Sequence, residues 1–318
     1  MIPSVVRWAG ERAPVVEATV MTIGVFDGVH IGHQALIGQA VDEGEREGVV
    51  SAGLTFFPSP EVVLRRQRPR YLMLPQERSQ QMLALGLGLV VVTEFSSALA
   101  SLSAADFMER VAYSFHPRQV WVGEDFALGR GRTGDLEALA QLGYKLGYRL
   151  RVLARRRVGG EVVSSTLIRR CLESGDVAKA ASMLGRPHSV SGRVVSGDAR
   201  GRDLGIPTAN VDYDQRKHLP ADGVYAAMVV NRGGSWPAVV NVGVRPTFAA
   251  VGRTLEAHLL DFGGDLYGEE VRVDFVARLR AETRFASPAE LVEQVGRDVE
   301  RARELLQPPT GVEAVRGV

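Results

Sequence analysis

Through the first half of the chain, short β-branched and apolar runs alternate with segments of helical periodicity. The runs at 19–25, 49–56, 89–93, 119–123 and 148–154 predict strands. Between them, Leu36, Ile37, Ala40 and Val41 share one helical face, and Phe107, Met108, Val111 and Ala112 share another. Ser103, with Asp106 three residues on, marks the start of the second of these helices. Strands that are apolar along their length and separated by helices predict a parallel, doubly wound, Rossmann-like sheet. Ligands of such sheets sit beyond the carboxyl ends of the strands.

The rhythm changes near residue 184. Asp176 caps a predicted helix at 177–184, which Gly185 and Pro187 then stop. From 188 to about 280 the helical periodicity disappears. Strand-like runs at 189–195, 224–230, 238–242, 254–261 and 271–276 are separated by Gly, Asp, Asn and Pro clusters, which predicts an antiparallel barrel or sandwich. Ser287-Pro288-Ala289-Glu290 opens a final helix with Leu291, Val295, Val299 and Ala302 on one face. Two prolines after Gln307 begin a loose tail. The expected organisation is a first domain at 1–184, a second at 185–306 and a tail at 307–318.

Composition narrows the classes of function. A chain of 318 residues with 45% hydrophobic and 24% charged positions can bury two ordinary cores. A net charge of +1 gives no field for steering onto nucleic acid. A lone cysteine, Cys171, excludes an internal disulfide and a multi-thiolate metal site, and fits a reducing cytoplasm. The N-terminus has no cationic segment leading into an apolar one, and the longest apolar stretch, 83–92, is broken by glycines and too short to cross a bilayer. The expectation is a cytoplasmic protein with no nucleic-acid or membrane partner, a monomer or weak homo-oligomer.

The chemistry gathers at the ends of the predicted strands. Directly after the first comes Gly24-Val-Phe-Asp-Gly-Val-His-Ile-Gly-His33. A chain that leaves a strand through a glycine turn and enters a helix points free N–H groups outward, where they attract phosphate. Two imidazoles at that point can stabilise oxygens that gain charge during phosphoryl or nucleotidyl transfer. An ordinary helix start would account for the two histidines alone, but not for Phe26, Asp27 and Gly28 leading in from a strand. Gly123-Glu-Asp125-Phe126 to Gly129 follows the fourth strand, and Thr55-Phe-Phe-Pro-Ser59-Pro60 follows the second as a proline loop or a substrate flap. Ser164-Ser-Thr166-Leu-Ile-Arg169 places hydroxyls and an arginine at a helix start, a second phosphate clamp. His30-Ile-Gly-His33 with a distal Ser-Ser-Thr-x-x-Arg is the layout of the nucleotidyltransferase superfamily. The same four letters occur in class I aminoacyl-tRNA synthetases, but the Lys-Met-Ser-Lys-Ser-like loop of those enzymes is absent here. In the second half, Gly201, Arg202 and Gly205 suit a phosphate-wrapping loop, and Pro207, Thr208 and Asn210 follow, the last two offering neutral oxygens suited to Mg²⁺ held with a nucleotide. Glu256 on a strand could serve as a base toward a hydroxyl, although an outward-facing strand glutamate is the plain reading. The basic stretch Arg65-Arg-Gln-Arg-Pro-Arg70 could touch a flavin phosphate, although a solvated loop is the plain reading.

Taken in order, the pieces 22–33, 164–169, Leu184-Gly-Arg-Pro-His188, 201–210, Asp222-Gly-Val-Tyr225, Leu255-Glu-Ala-His258 and Asp265-Leu-Tyr-Gly268 resemble the prokaryotic bifunctional riboflavin kinase/FAD synthetase family across roughly 15–306. The resemblance implies an N-terminal FMN adenylyltransferase and a C-terminal riboflavin kinase, a six-stranded Greek-key barrel with a terminal helix. It implies ATP at Gly24, Phe26, Asp27, Gly28, His30 and His33, with Ser164, Thr166 and Arg169 opposite. Gly123, Asp125 and Phe126 would lie near adenine, metal or flavin. In the kinase it implies Mg²⁺ with ATP at Thr208 and Asn210, nucleotide contacts from Gly201, Arg202, Gly205, Pro207 and Tyr225, and Glu256 deprotonating or orienting the ribityl 5′-hydroxyl. The substrates would be riboflavin, FMN and ATP. The chain departs from the family pattern at Ser59, where many members have histidine, at Asp125, where asparagine is common, and at Ile206, which replaces a frequent aromatic. A carboxylate at 125 needs Mg²⁺ or an arginine beside it to offset its repulsion of polyphosphate. The competing readings are a riboflavin kinase with an inactive first domain and a flavin-binding protein without turnover.

Overall fold

Residues 4–10, 16–66, 68, 70–197, 206–247 and 250–307 are described in the computed structural model, and the chain divides into two compact units, Met1–Ser165 and Thr166–Val318.

In the first unit six strands form one all-parallel sheet: β1 (Ser4–Trp8), β2 (Thr19–Ile23), β3 (Val50–Phe57), β4 (Leu89–Glu94), β5 (Pro117–Gly123) and β6 (Arg149–Leu153), in the order β1-β4-β3-β2-β5-β6. All five residues of β2 are buried, as expected of a strand covered on both faces. On one face α1 (Ile31–Glu47) lays Leu36, Ile37 and Ala40 against Val20 and Val90, joined by Met82 of α3 (Pro75–Ala84). On the other, α5 (Ala104–Phe115) and α6 (Leu136–Leu146) bury Phe107, Met108, Val111, Phe115 and Leu139 against Met21, Leu54 and Val91. Ser103 and Asp106 cap α5 reciprocally. The short helices α2 (Pro60–Arg65) and α4 (Ser97–Ser101) complete this layer structure. The five expected strands are present within a residue or two. The sixth, β1, alternates half-buried and exposed positions at the sheet edge before the buried Trp8, and so lacks the continuous apolar run that marks the inner strands β2 to β5. After β6, Gly159 and Gly160 turn a small hairpin between β7 (Arg157–Val158) and β8 (Glu161–Val162).

Strand order reverses at β2: the chain moves from β2 to β3 on one side and later places β5 on the other. Such a switch point opens a crevice outside the carboxyl ends of the two strands. The turn at 24–30 leaves β2 there, and the segment from Gly123 leaves β5.

The second unit begins with α7 (Ser165–Glu173) and α8 (Val177–Leu184). Asp176 accepts a bond from the Lys179 amide at 2.9 Å, and Gly185 ends α8 in the left-handed region at φ +72°. The helices are built onto the barrel: α8 packs on β9 and β14, and the Ala221 amide donates to the Leu172 carbonyl at 2.8 Å. The unit boundary therefore falls at the first residue of α7, whereas the sequence rhythm changes after α8. The barrel strands are β9 (His188–Val195), β10 (Ala209–Tyr213), β11 (Gly223–Asn231), β12 (Gly234–Thr247), β13 (Ala250–Leu259) and β14 (Glu270–Arg280). They close in the order β10-β13-β12-β11-β14-β9 with every pair antiparallel. Strand β14 returns beside β11, so β11 to β14 form a Greek key. Strand β10 is the one the sequence pattern hides, because it follows directly on a glycine- and arginine-rich stretch.

The last helix, α9 (Pro288–Leu306), lays Ala302 and Val299 over Val224, Val239 and Leu260 of the barrel. Ser287 accepts from the Glu290 amide at 3.3 Å, while Glu290 accepts from Ala286 at 3.1 Å, one residue ahead of the reciprocal partner expected of a capping box. Asp298 is buried beneath α9, where it meets Arg280 of β14 at 2.8 Å and accepts from Gln294 at 2.9 Å. The expected tail beyond Gln307 lies outside the described residues.

His188 is buried at the start of β9 with Nε2 on the His218 carbonyl at 2.7 Å. Burial first, then the nearby Lys217 charge, push its pKa down to about 3. The folded state thus refuses a proton that the unfolded chain accepts below about 6.5. Stability is accordingly lost as pH falls from about 6.5 toward about 3, at up to about 1.4 kcal/mol per unit. The difference in unfolding free energy between the native chain and His188→Gln is expected to narrow over that window; a constant difference would contradict the buried neutral imidazole. Asp298→Ala strands Arg280 beneath α9 and is expected to weaken helix docking by about 3 kcal/mol. This is read as faster hydrogen exchange across α9, and unchanged exchange would contradict it.

Candidate active sites

The first site is built on the turn that leaves β2. The Gly24 amide still reaches the Leu54 carbonyl at 3.0 Å, and the chain then bends through Phe26 (φ +52°), Gly28 (φ +82°) and Val29 (φ +40°). Phe26 and Val29 carry side chains in the left-handed region, a strain of roughly 1–3 kcal/mol each. Both are buried under α1, so the core holds the bend.

Asp27 sits between them, 1% exposed, and its carboxylate accepts from the Leu72 and Met73 amides at 3.2 and 3.0 Å. The Arg78 guanidinium lies 3.6 Å away and is equally buried. Arg78 donates to the Val25 carbonyl at 2.7 Å, the Phe56 carbonyl at 3.1 Å and Thr55 Oγ1 at 3.3 Å. Further ties come from Thr55 Oγ1 to Val25 at 2.9 Å, Gln34 to Val29 at 2.8 Å and Ser165 Oγ to the Asp27 carbonyl at 2.8 Å. Sequence reasoning missed Arg78, because Pro-Gln-Glu-Arg-Ser-Gln reads as a solvent-facing helix start. The available signal was Asp27 itself: a carboxylate between apolar turn residues calls for a cation, but nothing in the sequence says which of 38 serves.

His30 is the N-cap of α1. Its Nδ1 accepts from the His33 amide at 3.3 Å, which leaves the proton of the neutral ring on Nε2. The His33 ring stacks on it at 3.6 Å and 15°, and the Phe26 ring lies edge-to-face to His33 with centroids 5.2 Å apart. Burial, then His30 and Arg78, hold the His33 pKa well below its ordinary value, so the ring stays neutral. Its Nδ1 is sealed from solvent without a hydrogen-bond partner, although the residue as a whole is half-buried. Gly32 makes room for this pair, since a Cβ there would sit 3.1 Å from His30 Cε1.

Across the switch point, Gly123 ends β5, Asp125 is exposed and Phe126 packs into the core. Arg155 lies between the carboxylates, 3.4 Å from Glu124 and 3.5 Å from Asp125, and so supplies the offsetting charge expected for a carboxylate at 125. Ser59 is buried at the start of α2, where its amide donates to the Tyr71 hydroxyl at 3.4 Å. Ser164 is half-buried in the first unit, while Thr166 and Arg169 lie on α7 in the second.

The second site lies on the barrel. Glu256 on β13 stands in register with Asn210 of β10 on one side and Asn241 of β12 on the other. Their chain neighbours Val211, Val240, Val242, Leu255 and Ala257 point into the barrel core. Period-two alternation therefore puts Asn210, Glu256 and Asn241 side by side on the outer face. Asn241 donates to Glu282 at 3.4 Å. His258 Nδ1 donates to the Pro207 carbonyl at 2.8 Å, which anchors the entry to Thr208 and Asn210 beside Glu256. Gly197 leaves the space that the Asn210 side chain fills. Arg253 holds the Asp222 turn at 2.9 Å. Tyr225 is placed apart from this row: its ring is buried against Phe275, and its hydroxyl donates to the Ala221 carbonyl at 2.6 Å. Gly201, Arg202 and Gly205 lie outside the described residues.

Comparison with known proteins places both halves. A family model described as FAD synthetase matches residues 13–167, and one described as riboflavin kinase matches 184–306. A bifunctional riboflavin kinase/FMN adenylyltransferase of Pseudomonas fluorescens is 39% identical over 306 residues, covering 95% of this chain and 98% of its own. The protein of that name from Escherichia coli (strain K12) is 38% identical, covering 91% of this chain and 93% of its own. A solved structure named as a macrolide-efflux protein from Streptococcus pneumoniae superposes with a TM-score of 0.87 at 30% identity, covering 94% of this chain and 98% of that one. Among the described residues, no helix of this chain is long and apolar enough to cross a membrane. With both halves matched in order and relatives aligned along nearly their whole length, the chain belongs to the bifunctional riboflavin kinase/FMN adenylyltransferase family.

Proposed function

We propose that the two reactions of this enzyme run on separate sites: riboflavin and ATP give FMN and ADP on the barrel, and FMN and ATP give FAD and pyrophosphate on the sheet unit. The observation that carries this reading is that each unit holds its own built constellation, the stacked imidazoles on one and the Asn210–Glu256–Asn241 row on the other. An inactive first domain would have no use for a strained turn clamped by a buried ion pair.

In the adenylyl transfer an FMN phosphate oxygen attacks the α-phosphorus of ATP, and pyrophosphate leaves. No covalent intermediate on the protein is needed, so positioning and charge stabilisation carry the rate. Amides at the start of α1, with Gly24 and Gly28 leaving the backbone accessible, draw the phosphates in. The Nε2–H of His30 and the neutral His33 donate to oxygens that gain charge. Phe26 and Asp27 hold the turn that carries them. Ser164, Thr166 and Arg169 are further phosphate ligands by the family resemblance, and Gly123, Asp125 and Phe126 flank the nucleotide or flavin.

In the kinase reaction the ribityl 5′-hydroxyl attacks the γ-phosphorus, its proton passes to the Glu256 carboxylate, and ADP leaves. Asn210 and Asn241 stand in register on either side of Glu256. Thr208 Oγ1 and Asn210 Oδ1 are hard, neutral oxygens beside a carboxylate, which fits Mg²⁺ arriving with ATP. Bound there, the metal would neutralise charge on the transferring phosphate. The family resemblance assigns further nucleotide contacts to Gly201, Arg202, Gly205 and Pro207. The single, buried Cys171 supports a reducing cytoplasm as the place of work. One chain carries both residue sets, so a monomer or weak homo-oligomer suffices.

Glu256→Gln is expected to slow FMN formation by about 100-fold or more while FAD formation from supplied FMN stays within twofold of native. His33→Ala is expected to do the reverse, with a loss of about 100-fold in adenylylation only. Flavin chromatography of each variant reads both rates, and a parallel loss of both reactions in a folded variant would contradict separate sites.

A further inference from the structure

Arg78 is the largest wholly buried side chain among the described residues, yet neither reaction calls on it directly. Its guanidinium joins three separate pieces of the first unit. It bonds the Val25 carbonyl before the histidine turn, Thr55 and the Phe56 carbonyl at the end of β3, and the Met73 carbonyl at 3.4 Å, while facing Asp27. Val25 and Asp27 flank Phe26, so the two contacts grip the turn on both sides of a residue held at φ +52°. Asp27 in turn accepts from Leu72 and Met73, which places the 71–73 segment in the same clamp. Tyr71 carries the connection on to the Ser59 amide. Burying a guanidinium is costly, and an apolar side chain of similar size would pack the same space more cheaply. What an apolar residue could not do is tie three backbone segments to one plane.

We propose that Arg78 is a positioning residue for FMN adenylylation: with Asp27 it locks the 25–29 turn to the end of β3 and to the 71–73 segment, and so fixes the aim of His30 and His33. This rests on the assignment of adenylylation to that turn. The Arg78 charge also adds, after burial and His30, to the lowering of the His33 pKa.

The test uses full-length Arg78→Lys and Arg78→Met, with riboflavin kinase activity in the same tube as control for the second unit and thermal melting as control for the first. Lysine keeps the charge but not the planar fork. Misaiming by about an ångström costs about 100-fold in rate. Arg78→Met is therefore expected to lower kcat for adenylylation by about 100-fold and Arg78→Lys by about tenfold, with KM for ATP and FMN changed less than about threefold. The His33 ring signal in ¹H–¹³C NMR, assigned by its loss in His33→Asn, is expected to move in both variants. Native kcat in a folded Arg78→Met, raised KM with kcat unchanged, or an unmoved His33 signal would each overturn the proposal. So would melting of the first unit in both variants, which would make Arg78 a residue of stability alone. Undiminished adenylylation in His33→Ala would instead overturn the site assignment beneath it.

Discussion

A carboxylate and a guanidinium buried together at the carboxyl edge of a parallel sheet set the terms for the first unit. Asp27 and Arg78 are each about 1% exposed, and neither could be buried alone without a penalty of several kcal/mol. Their joint burial requires the turn after β2, the end of β3 and the 71–73 segment to converge on one point. The strained conformations of Phe26 and Val29 persist because that convergence and the core beneath α1 over-determine them. The placement of the stacked histidines is thus a consequence of an interaction wholly beneath the surface.

The barrel solves the corresponding problem through register. Glu256 stands beside Asn210 and Asn241 only through the pairing of β13 with β10 and β12. A slip of one residue in β13 would turn Glu256 into the core and Leu255 or Ala257 outward. Closure into a barrel guards against such a slip, because every strand is paired on both sides and α9 covers the wall. Packing of α8 on β9 and β14 and the Ala221–Leu172 bond tie α7 and α8 to the barrel even though their sequence has the helical rhythm of the first half.

Much of this was legible in the chain itself, and the limits have physical causes. The inner strands β2 to β5 could be read because burial on both faces leaves continuous apolar runs, and the caps at Ser103, Asp176 and Ser287 because side-chain capping is local. β1 and β10 could not, being short strands with alternating or polar residues whose pairing is set by partners far along the chain. The histidine pair was visible from its spacing; its stacking, its tautomer and the sealed Nδ1 of His33 depend on Phe26, Gly32 and Arg78 in three dimensions. Asn241 and Glu256 are fifteen residues apart in sequence and adjacent only through hairpin register. Arg78 left no local signal, since a buried arginine and an exposed one are written alike. Tyr225 shows the opposite limit: its motif suggested a ligand contact, while its ring completes the barrel core.

The central claim is that one chain carries two complete and separate reaction centres. A time course with purified full-length protein, riboflavin, ATP and magnesium, followed by flavin chromatography, tests it most directly. The account predicts that FMN appears first and then declines as FAD and pyrophosphate rise. FMN that accumulates without FAD would contradict the adenylyltransferase centre, and riboflavin left unchanged would contradict the kinase centre.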